Sequence, residues 1–97
     1  MSNASASNSV LEREFKIQNQ YGIHARPAAL FVKIASRYNG DVQVEKDGTT
    51  VSGKSIMGLM TLQASCGSRL RVTVSGHDGE QMLDELENLI ERKFDED

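Results

Sequence analysis

Two residues with clear chemical potential, His24 and Arg26, lie just before Pro27 and a run rich in alanine. Proline is tolerated in the first turn of a helix, because the N–H it lacks would have no intrahelical partner there. We therefore predict a helix that begins near His24, where unpaired amides and the positive end of the helix dipole favour an anion. Neutral imidazole is nucleophilic near physiological pH, and guanidinium grips phosphate through several donors. The combination indicates a site that holds phosphate on or beside the imidazole, whereas a surface histidine at an ordinary helix start is the simpler alternative.

The chain is small and acidic, with 97 residues and a formal net charge of −3. This length predicts one domain with a modest core, and the negative charge disfavours nucleic acid as the main partner. The single cysteine excludes an internal disulfide and is typical of a reducing cytosol. The sequence shows neither a signal peptide nor an apolar run long enough to span a membrane. We therefore expect a cytoplasmic protein without direct membrane insertion.

Hydrophobic periodicity predicts the element order β-α-β-β-α-β-α. Alternation in the strands and 3.6-residue spacing in the helices place the apolar side chains on one face of each element. The Asp47-Gly48 pair is the strongest local signal, because it is typical of a two-residue hairpin turn. The predicted strands are 11–19, 41–46, 49–52 and 69–74, and the predicted helices are 25–38, 55–62 and 79–93, the first of them ending at Asn39-Gly40.

This order indicates an α+β architecture with two layers, in which three helices cover one face of a four-stranded, mainly antiparallel sheet. We expect residues 10–97 to form this single domain. The preceding residues 1–9 are rich in serine and asparagine, so we expect a disordered tail that includes a remnant of an expression tag.

Two separated motifs give the chain a family resemblance. Residues 22–29 are GIHARPAA, and residues 53–60 are GKSIMGLM. Together they resemble HPr, the histidine-containing phosphocarrier of the bacterial phosphoenolpyruvate–sugar phosphotransferase system (PTS), and the similarity extends from about Leu11 to the C-terminus. The resemblance implies the HPr fold, an open-faced two-layer β-sandwich, which agrees with the predicted element order. It also implies a carrier that serves as a substrate of the PTS enzymes, with no cofactor and no metal.

The resemblance implies that His24 accepts a phosphoryl group from phospho-enzyme I and passes it to sugar-specific EIIA domains. In the family, the modified ring nitrogen is the one nearer the backbone, and Arg26 matches the arginine that neutralises phosphate during transfer. Reversible transfer requires that the protein hold the phosphoryl group only weakly. Helix-terminus charge effects of about 0.3–1 kcal/mol are small enough to meet this requirement.

Ser55 has two interpretations. Serine is a preferred N-cap residue, worth about 1 kcal/mol, so its position before the short second helix indicates a structural role. Within its motif it also matches the regulatory serine that HPr kinase/phosphorylase modifies in the family. Phosphate at a helix N-terminus is electrostatically favourable, and it would add negative charge to a surface that meets acidic partners.

Apolar residues are unusually frequent in the short second helix. Two turns cannot bury all of them, so we expect Leu59 in the core and the others at the surface, where methionine is adaptable and common in binding surfaces. The resemblance implies a docking patch for enzyme I and the EIIA domains, bordered by Ala29 on the first helix. Its members in the second helix are Ile56, Met57 and Met60.

The remaining candidates are expected to be structural. Cys66 lies in a predicted turn without a neighbouring histidine or second cysteine, and His77 lies alone in a loop. Residues 48–55 fit the bare P-loop pattern, but Gly48 falls in a hairpin turn, so we reject nucleotide binding. The acidic residues near the C-terminus are expected to form a solvated helix face and a frayed end; they are Glu87, Glu91, Asp95, Glu96 and Asp97.

Three alternatives compete with a sugar-transport carrier. A regulatory paralogue acting in nitrogen or carbon control would use the same histidine or Ser55, and sequence does not separate it from the carrier. A βαββαβ nucleic-acid-binding module needs stacking aromatics on its central strands, yet only Phe15 lies in a predicted strand. A small enzyme with His24 as base lacks an obvious partner carboxylate. We expect a monomer.

Overall fold

The structure is a computed structural model that describes residues 10–96, so the predicted tail and Asp97 lie outside the described residues. Its strands are β1 (Val10–Lys16), β2 (Val42–Lys46), β3 (Thr49–Ser52) and β4 (Arg69–Ser75), and its helices are α1 (Ala25–Ala35), α2 (Ile56–Thr61) and α3 (Gly79–Glu91). The strands form one sheet in the order β1-β4-β2-β3, and all three pairings are antiparallel. The predicted α+β class and element order are confirmed. Within residues 10–96, no helix has the length and apolar character needed to cross a bilayer.

Strand β4 pairs with β1 on one side and with β2 on the other. Its side chains at Leu70, Val72 and Val74 are almost fully buried, as the alternation predicts. Each such side chain contributes roughly 1.5–3 kcal/mol relative to an exposed one. On the opposite, open face of the sheet, Arg71 pairs with Glu12 across the β1–β4 ladder at 3.1 Å. The helices therefore cover only one face, which gives the predicted two layers.

The hairpin predicted at Asp47-Gly48 joins β2 and β3. Both turn residues have positive φ, 51° and 87° respectively. This is the type I′ geometry, whose twist matches that of the flanking strands. Gly48 therefore lies at the tip of a hairpin, as predicted, and not at the start of a phosphate-binding loop.

Helix α1 is shorter than predicted. It ends at Ala35, with Ser36 as the C-cap, instead of running to Tyr38. Tyr38 nevertheless turns into the core, and the Lys54 ammonium group donates a hydrogen bond to its carbonyl oxygen at 2.7 Å. Lys54 therefore provides a hydrogen-bond donor for a backbone carbonyl that lies beyond the end of α1. The other predicted core residues of this helix are buried (Phe31 and Ala35) or partly buried (Leu30 and Ile34).

The interpretation of Gly40 as a helix stop is wrong. Gly40 follows the end of α1 by several residues and packs directly against the backbone carbonyl of Ser75, the last residue of β4. The adjacent Asp41 carbonyl accepts a hydrogen bond from the Ser75 N–H at 3.0 Å, which keeps the two segments together. A β-carbon at Gly40 would overlap the Ser75 carbonyl. Close backbone approach, and not a special φ, is what requires glycine here.

Strand β1 ends at Lys16, earlier than the predicted Asn19. Ile17 has left the strand but stays attached to the segment before β4, because its N–H donates to the Ser68 carbonyl at 2.8 Å. Its side chain is buried, as predicted. Leu11 was also predicted to face the core, yet it is 39% exposed. It lies against Gly79, which has no side chain to cover it.

Helix α3 ends at Glu91, not at the predicted Lys93, and a left-handed turn follows it. Lys93, Phe94 and Asp95 have φ values of 57°, 54° and 59°, a conformation that costs non-glycine residues roughly 1–2 kcal/mol each. Burial of the whole Phe94 side chain, together with two backbone hydrogen bonds in the turn, offsets this strain. The turn directs Glu96 back towards the start of α1.

We expect Gly40→Ala to lower the free energy of unfolding by at least about 2 kcal/mol, because the added methyl group must push the end of β4 away. Urea denaturation followed by circular dichroism measures this quantity. Asn39→Ala changes an exposed neighbour and should shift the free energy of unfolding by no more than about 0.5 kcal/mol. If the two variants are equally stable, the close approach of Gly40 to the Ser75 carbonyl is contradicted.

Candidate functional site

His24 is the N-cap residue of α1, with φ −90° and ψ −168°, so the predicted helix start is confirmed. Its carbonyl accepts a hydrogen bond from the Ala28 N–H at 3.0 Å, while its ring makes no capping hydrogen bond. Pro27 contributes to this, because it occupies a position whose N–H an N-cap side chain commonly accepts. The amides of Ala25 and Arg26 have no intrahelical partner. The His24 side chain, 43% exposed, lies at this end of the helix.

The loop that carries His24 is attached to a distant part of the chain. The Ile23 N–H donates to the Ala64 carbonyl at 2.8 Å, and the Ile23 side chain is buried. Gly22 has a φ of 67° and lies against the same segment, where a β-carbon would overlap the Ala64 carbonyl. The side-chain amide of Asn19, itself fully buried, donates to the Gly22 carbonyl at 2.7 Å. The connection between α2 and β4 therefore helps to set the position of the imidazole.

The Glu96 carboxylate contacts the His24 ring, with Nε2 at 2.9 Å from Oε2 and 3.2 Å from Oε1. The Asn19 amide donates to Glu96 Oε1 at 3.1 Å, and Arg26 Nη1 lies 3.5 Å from Oε2. Only 19% of the Glu96 side chain is exposed. The prediction that Glu96 belongs to a solvated, frayed end is therefore wrong. No pattern in the sequence signals this contact, because it depends on the left-handed turn.

Arg26 lies on the same side of the helix terminus as His24. Its Nη1 donates to the Phe94 carbonyl at 2.8 Å, which fixes one edge of the guanidinium. About half of its side chain stays exposed, so an approaching anion can reach it. The structure thus brings His24 and Arg26 together, as the sequence predicts, but it does so with Glu96 between them.

The electrostatic environment of Glu96 favours its ionised form. Burial tends to raise the pKa of this carboxyl group, but hydrogen bonds from His24 and Asn19 and the positive charges of His24 and Arg26 act in the opposite direction. The net effect is a pKa below the ordinary value. Glu96 is therefore a carboxylate, and a hydrogen-bond acceptor only, near neutral pH.

Ser55 is the N-cap of α2, and its hydroxyl oxygen accepts a hydrogen bond from the Gly58 N–H at 2.9 Å. The capping role predicted from the sequence is confirmed. Ser55 is partly exposed, and the hydrogen bond that its oxygen accepts is partly buried. Ile56 and Met57 of the predicted docking patch follow it directly.

The apolar residues of α2 divide as predicted. Leu59 is fully buried, whereas Met57 is 75% exposed and Ile56 and Met60 keep about 40% of their surface. Ala29 on α1 is also exposed, and the two helices pack against each other. Exposed methionine side chains such as these are adaptable and common in binding surfaces.

Tyr21 is a surface residue that is not among the predicted site residues. It is largely exposed, and together with His24, Gln63 and Ser65 it lines a shallow pocket. Aromatic residues are enriched in protein interfaces. An aromatic residue directly before the Gly22–His24 loop was the available signal.

The remaining candidates lie at the surface, and Glu87 differs from its prediction. Cys66 is an exposed free thiol whose sulfur lies 3.7 Å from the Gln18 carbonyl oxygen, and His77 is exposed. Glu87 does not simply face solvent, because it pairs with Arg13 at 2.7 Å and so ties α3 to β1. Of the remaining acidic residues, Glu91 and Asp95 are exposed as predicted.

Comparisons with known proteins agree with this architecture. The family model described as "PTS HPr component phosphorylation site" matches residues 11–92. The phosphocarrier protein HPr of Treponema pallidum (strain Nichols) is 43% identical over 82 residues, which cover 84% of this chain and 93% of that protein. The crystal structure of HPr-C-His from Thermoanaerobacter tengcongensis has a TM-score of 0.85 at 45% identity and covers 90% of this chain and 98% of its own. A crystal structure of Crh from Bacillus subtilis, a dimer with a swapping domain, has a TM-score of 0.68 at 38% identity, with 86% and 95% covered.

These matches first define a class: this is a phosphocarrier protein, a component of the PTS and not an enzyme. Within that class, the chain belongs to the HPr family. The family resemblance inferred from the two motifs is confirmed, and the open-faced sheet with three helices is the HPr fold. One argument against a small enzyme, the lack of a partner carboxylate, was wrong because Glu96 contacts His24. The family membership decides the question instead.

We expect Glu96 to stabilise the protein above its ordinary pKa of 4.5 and to lose this effect as the pH falls below that value. Because the folded pKa is lower, the unfolded chain binds the proton more tightly, and acid therefore favours unfolding. The measurement is the difference in free energy of unfolding between the wild-type protein and Glu96→Gln from pH 7 to pH 3. As the pH falls below about 4.5, the wild-type protein should lose stability relative to Glu96→Gln. If this difference in free energy of unfolding does not change with pH, the Glu96 carboxylate does not make the stabilising contacts described above.

Proposed function

We propose that His24 is the phosphoryl carrier of this protein, receiving the group from phospho-enzyme I and passing it to sugar-specific EIIA domains. The observation that carries the proposal is the exposed imidazole at the N-terminus of α1, which begins with two amides that lack intrahelical partners. A phosphoryl group on the ring would accept hydrogen bonds from such amides. Because helix-terminus effects amount to only about 0.3–1 kcal/mol, the group can leave again for an acceptor.

Arg26 has an accessory role in this proposal. Its guanidinium is anchored on the Phe94 carbonyl, and its distance to Glu96 is 3.5 Å. It is therefore held near the ring with donors still available to phosphate oxygens. Its charge would offset the negative charge that gathers at the site when donor, phosphoryl group and carrier meet.

We propose that enzyme I and the EIIA domains dock on the surface formed by Ala29, Ile56, Met57 and Met60. These residues are exposed and lie on two helices that pack together. Successive partners need this surface free, so we propose that the carrier works as a monomer. We place the exchange in the cytoplasm, where the free thiol of Cys66 stays reduced.

We expect His24→Ala to abolish phosphate acceptance, because the imidazole is the group proposed to form the phosphorus–nitrogen bond. Arg26→Ala should slow acceptance by about 10- to 100-fold, as for the loss of a hydrogen bond to a charged group. Intact-mass analysis after incubation with enzyme I and phosphoenolpyruvate should show one added phosphate on the wild-type protein, lost in mild acid.

Two control variants separate these effects from general damage. His77→Ala removes the other histidine of the chain, which is exposed in a loop, and should accept phosphate normally. Lys33→Ala removes an exposed positive charge from α1 and should match the wild-type rate. An acid-labile phosphate on a well-folded His24→Ala protein would overturn the proposal.

We also propose that HPr kinase/phosphorylase phosphorylates Ser55 with ATP. The hydroxyl oxygen lies at the partly exposed N-cap of α2, directly before two residues of the docking surface. A phosphate there adds about −1.5 to −2 charges. Acidic partners would then approach this surface more slowly.

Ser55→Asp should slow phosphorylation of His24 severalfold while changing the free energy of unfolding by no more than about 0.5 kcal/mol, because aspartate is also a preferred N-cap. Stopped-flow transfer from phospho-enzyme I measures the rate, and urea denaturation measures stability. Asn39→Asp adds the same charge at an exposed site beyond the C-terminus of α1 and should leave the rate unchanged. Transfer at the wild-type rate in Ser55→Asp would count against the regulatory role.

The similarity to Crh favours one second candidate, a regulatory paralogue that acts through Ser55 without sugar transport. The same mass analysis separates it from a carrier. A regulator of this kind would gain an acid-stable phosphate from HPr kinase and ATP, and no phosphate from enzyme I and phosphoenolpyruvate. An acid-labile phosphate from enzyme I would instead support the carrier.

A further inference from the structure

We propose that Glu96 is a positioning residue for His24: its carboxylate accepts the Nε2 proton and holds the ring with Nδ1 free to receive the phosphoryl group. This inference rests on the proposed role of His24 as the carrier. It extends that role to a residue near the other end of the chain, which reaches the site only through the fold.

The contact itself is close and specific. Both carboxylate oxygens of Glu96 lie within hydrogen-bonding distance of the same ring nitrogen, Nε2, at 2.9 and 3.2 Å. The Arg26 guanidinium is farther from this carboxylate, at 3.5 Å, and donates instead to the Phe94 carbonyl at 2.8 Å. The imidazole is thus the nearer partner of Glu96, and Arg26 is the more distant one.

Two hydrogen bonds and a buried neighbour fix the position of Glu96. Asn19, which is fully buried, uses one amide nitrogen to bond both Glu96 Oε1 and the Gly22 carbonyl of the His24 loop. The Phe94 side chain is fully buried two residues earlier. The Glu96 N–H closes the left-handed turn by donating to the Lys93 carbonyl at 2.9 Å. A buried amide and a buried aromatic ring therefore hold the carboxylate against an imidazole that is itself partly exposed.

A carboxylate on one ring nitrogen determines what the other nitrogen does. A neutral imidazole carries one proton, and a hydrogen bond to a carboxylate keeps that proton on Nε2. Nδ1 then presents its lone pair to phosphorus. As the Nδ1–phosphorus bond forms, the bond from phosphorus to the donor breaks and its electron pair leaves with the donor. The Nε2 proton stays in place, and the carboxylate balances the positive charge that develops on the ring.

An anion at this site can also have the opposite effect, because a carboxylate competes with phosphate for the same positive groups. The two effects have opposite signs in one experiment. If Glu96 positions the ring, removing it slows transfer to His24. If it blocks the site, removing it accelerates transfer.

The first measurement is the rate of phosphoryl transfer from phospho-enzyme I to the full-length protein and its variants. Glu96→Ala should lower kcat/KM by about tenfold, the order expected when a reacting group loses its orientation. Glu96→Gln should recover part of the rate, because its amide oxygen still accepts the Nε2 proton although its NH₂ group cannot accept from Asn19. Asp95→Asn removes a neighbouring charge from an exposed residue and should stay within about twofold of the wild type.

The second measurement needs no partner protein. Long-range ¹H–¹⁵N correlation spectra of unphosphorylated protein, at a pH where the ring is neutral, report which nitrogen carries the proton. The wild-type spectrum should show one tautomer with the proton on Nε2, and Glu96→Ala should show a mixture. A loss of stability alone would not change these signals.

The combined outcomes decide the inference. Slower transfer with a mixed tautomer in Glu96→Ala supports it. Faster transfer, wild-type transfer, or slower transfer with an unchanged tautomer would each overturn it. If even the wild-type protein accepts no phosphate, the proposed function fails, and unchanged ring-nitrogen signals in Glu96→Ala would show that the positioning inference has failed as well.

Discussion

The pairing of β4 with both β1 and β2 is the interaction on which the rest of this structure depends. It turns two separate parts of the chain into one sheet and gives the helices a common apolar face to cover. It also places the segment before β4 beside the His24 loop, where the Ala64 carbonyl accepts from Ile23 and the Ser68 carbonyl from Ile17. The loop that leads into α1 is therefore attached to the segment before β4, although the two lie far apart in the sequence.

The His24 side chain is exposed and yet is held in place by its neighbours. The His24 ring is partly open to solvent. The backbone of its loop and the Glu96 carboxylate hold the ring in place. Enzymes commonly solve the orientation problem with an enclosed pocket. Here a short loop, a helix terminus and one buried asparagine orient the imidazole at an open surface.

Periodicity and turn chemistry predicted most of the fold. Alternating residues identified β4, Asp47-Gly48 identified the hairpin, and Pro27 identified the start of α1, because each signal is local. Predictions failed where the cause was not local. Gly40 is required by the approach of Ser75, and the exposure of Leu11 follows from its neighbour Gly79.

The candidate site, like the fold, was predicted only where the signal is local in the sequence. The sequence predicted that His24 and Arg26 lie together at one helix terminus, because two residues of separation and a proline determine that geometry. It did not predict Asn19 or Glu96. Three successive non-glycine residues with positive φ carry Glu96 to the ring, and no sequence rule anticipates such a turn. The turn is stabilised by the burial of Phe94, which depends on the complete hydrophobic core and not on the local sequence.

The register of β1 against β4 has a consequence for how the chain folds. The β2–β3 hairpin closes through a two-residue turn, whereas β1 must meet a strand on the far side of α1, that hairpin and α2. Closing so long a loop costs more entropy and is slow compared with local pairing. Because the Ala64 carbonyl that holds the His24 loop lies just before β4, we expect the hairpin to form before this loop gains its support. A partly folded chain would then have its hairpin while the surroundings of the imidazole were still incomplete.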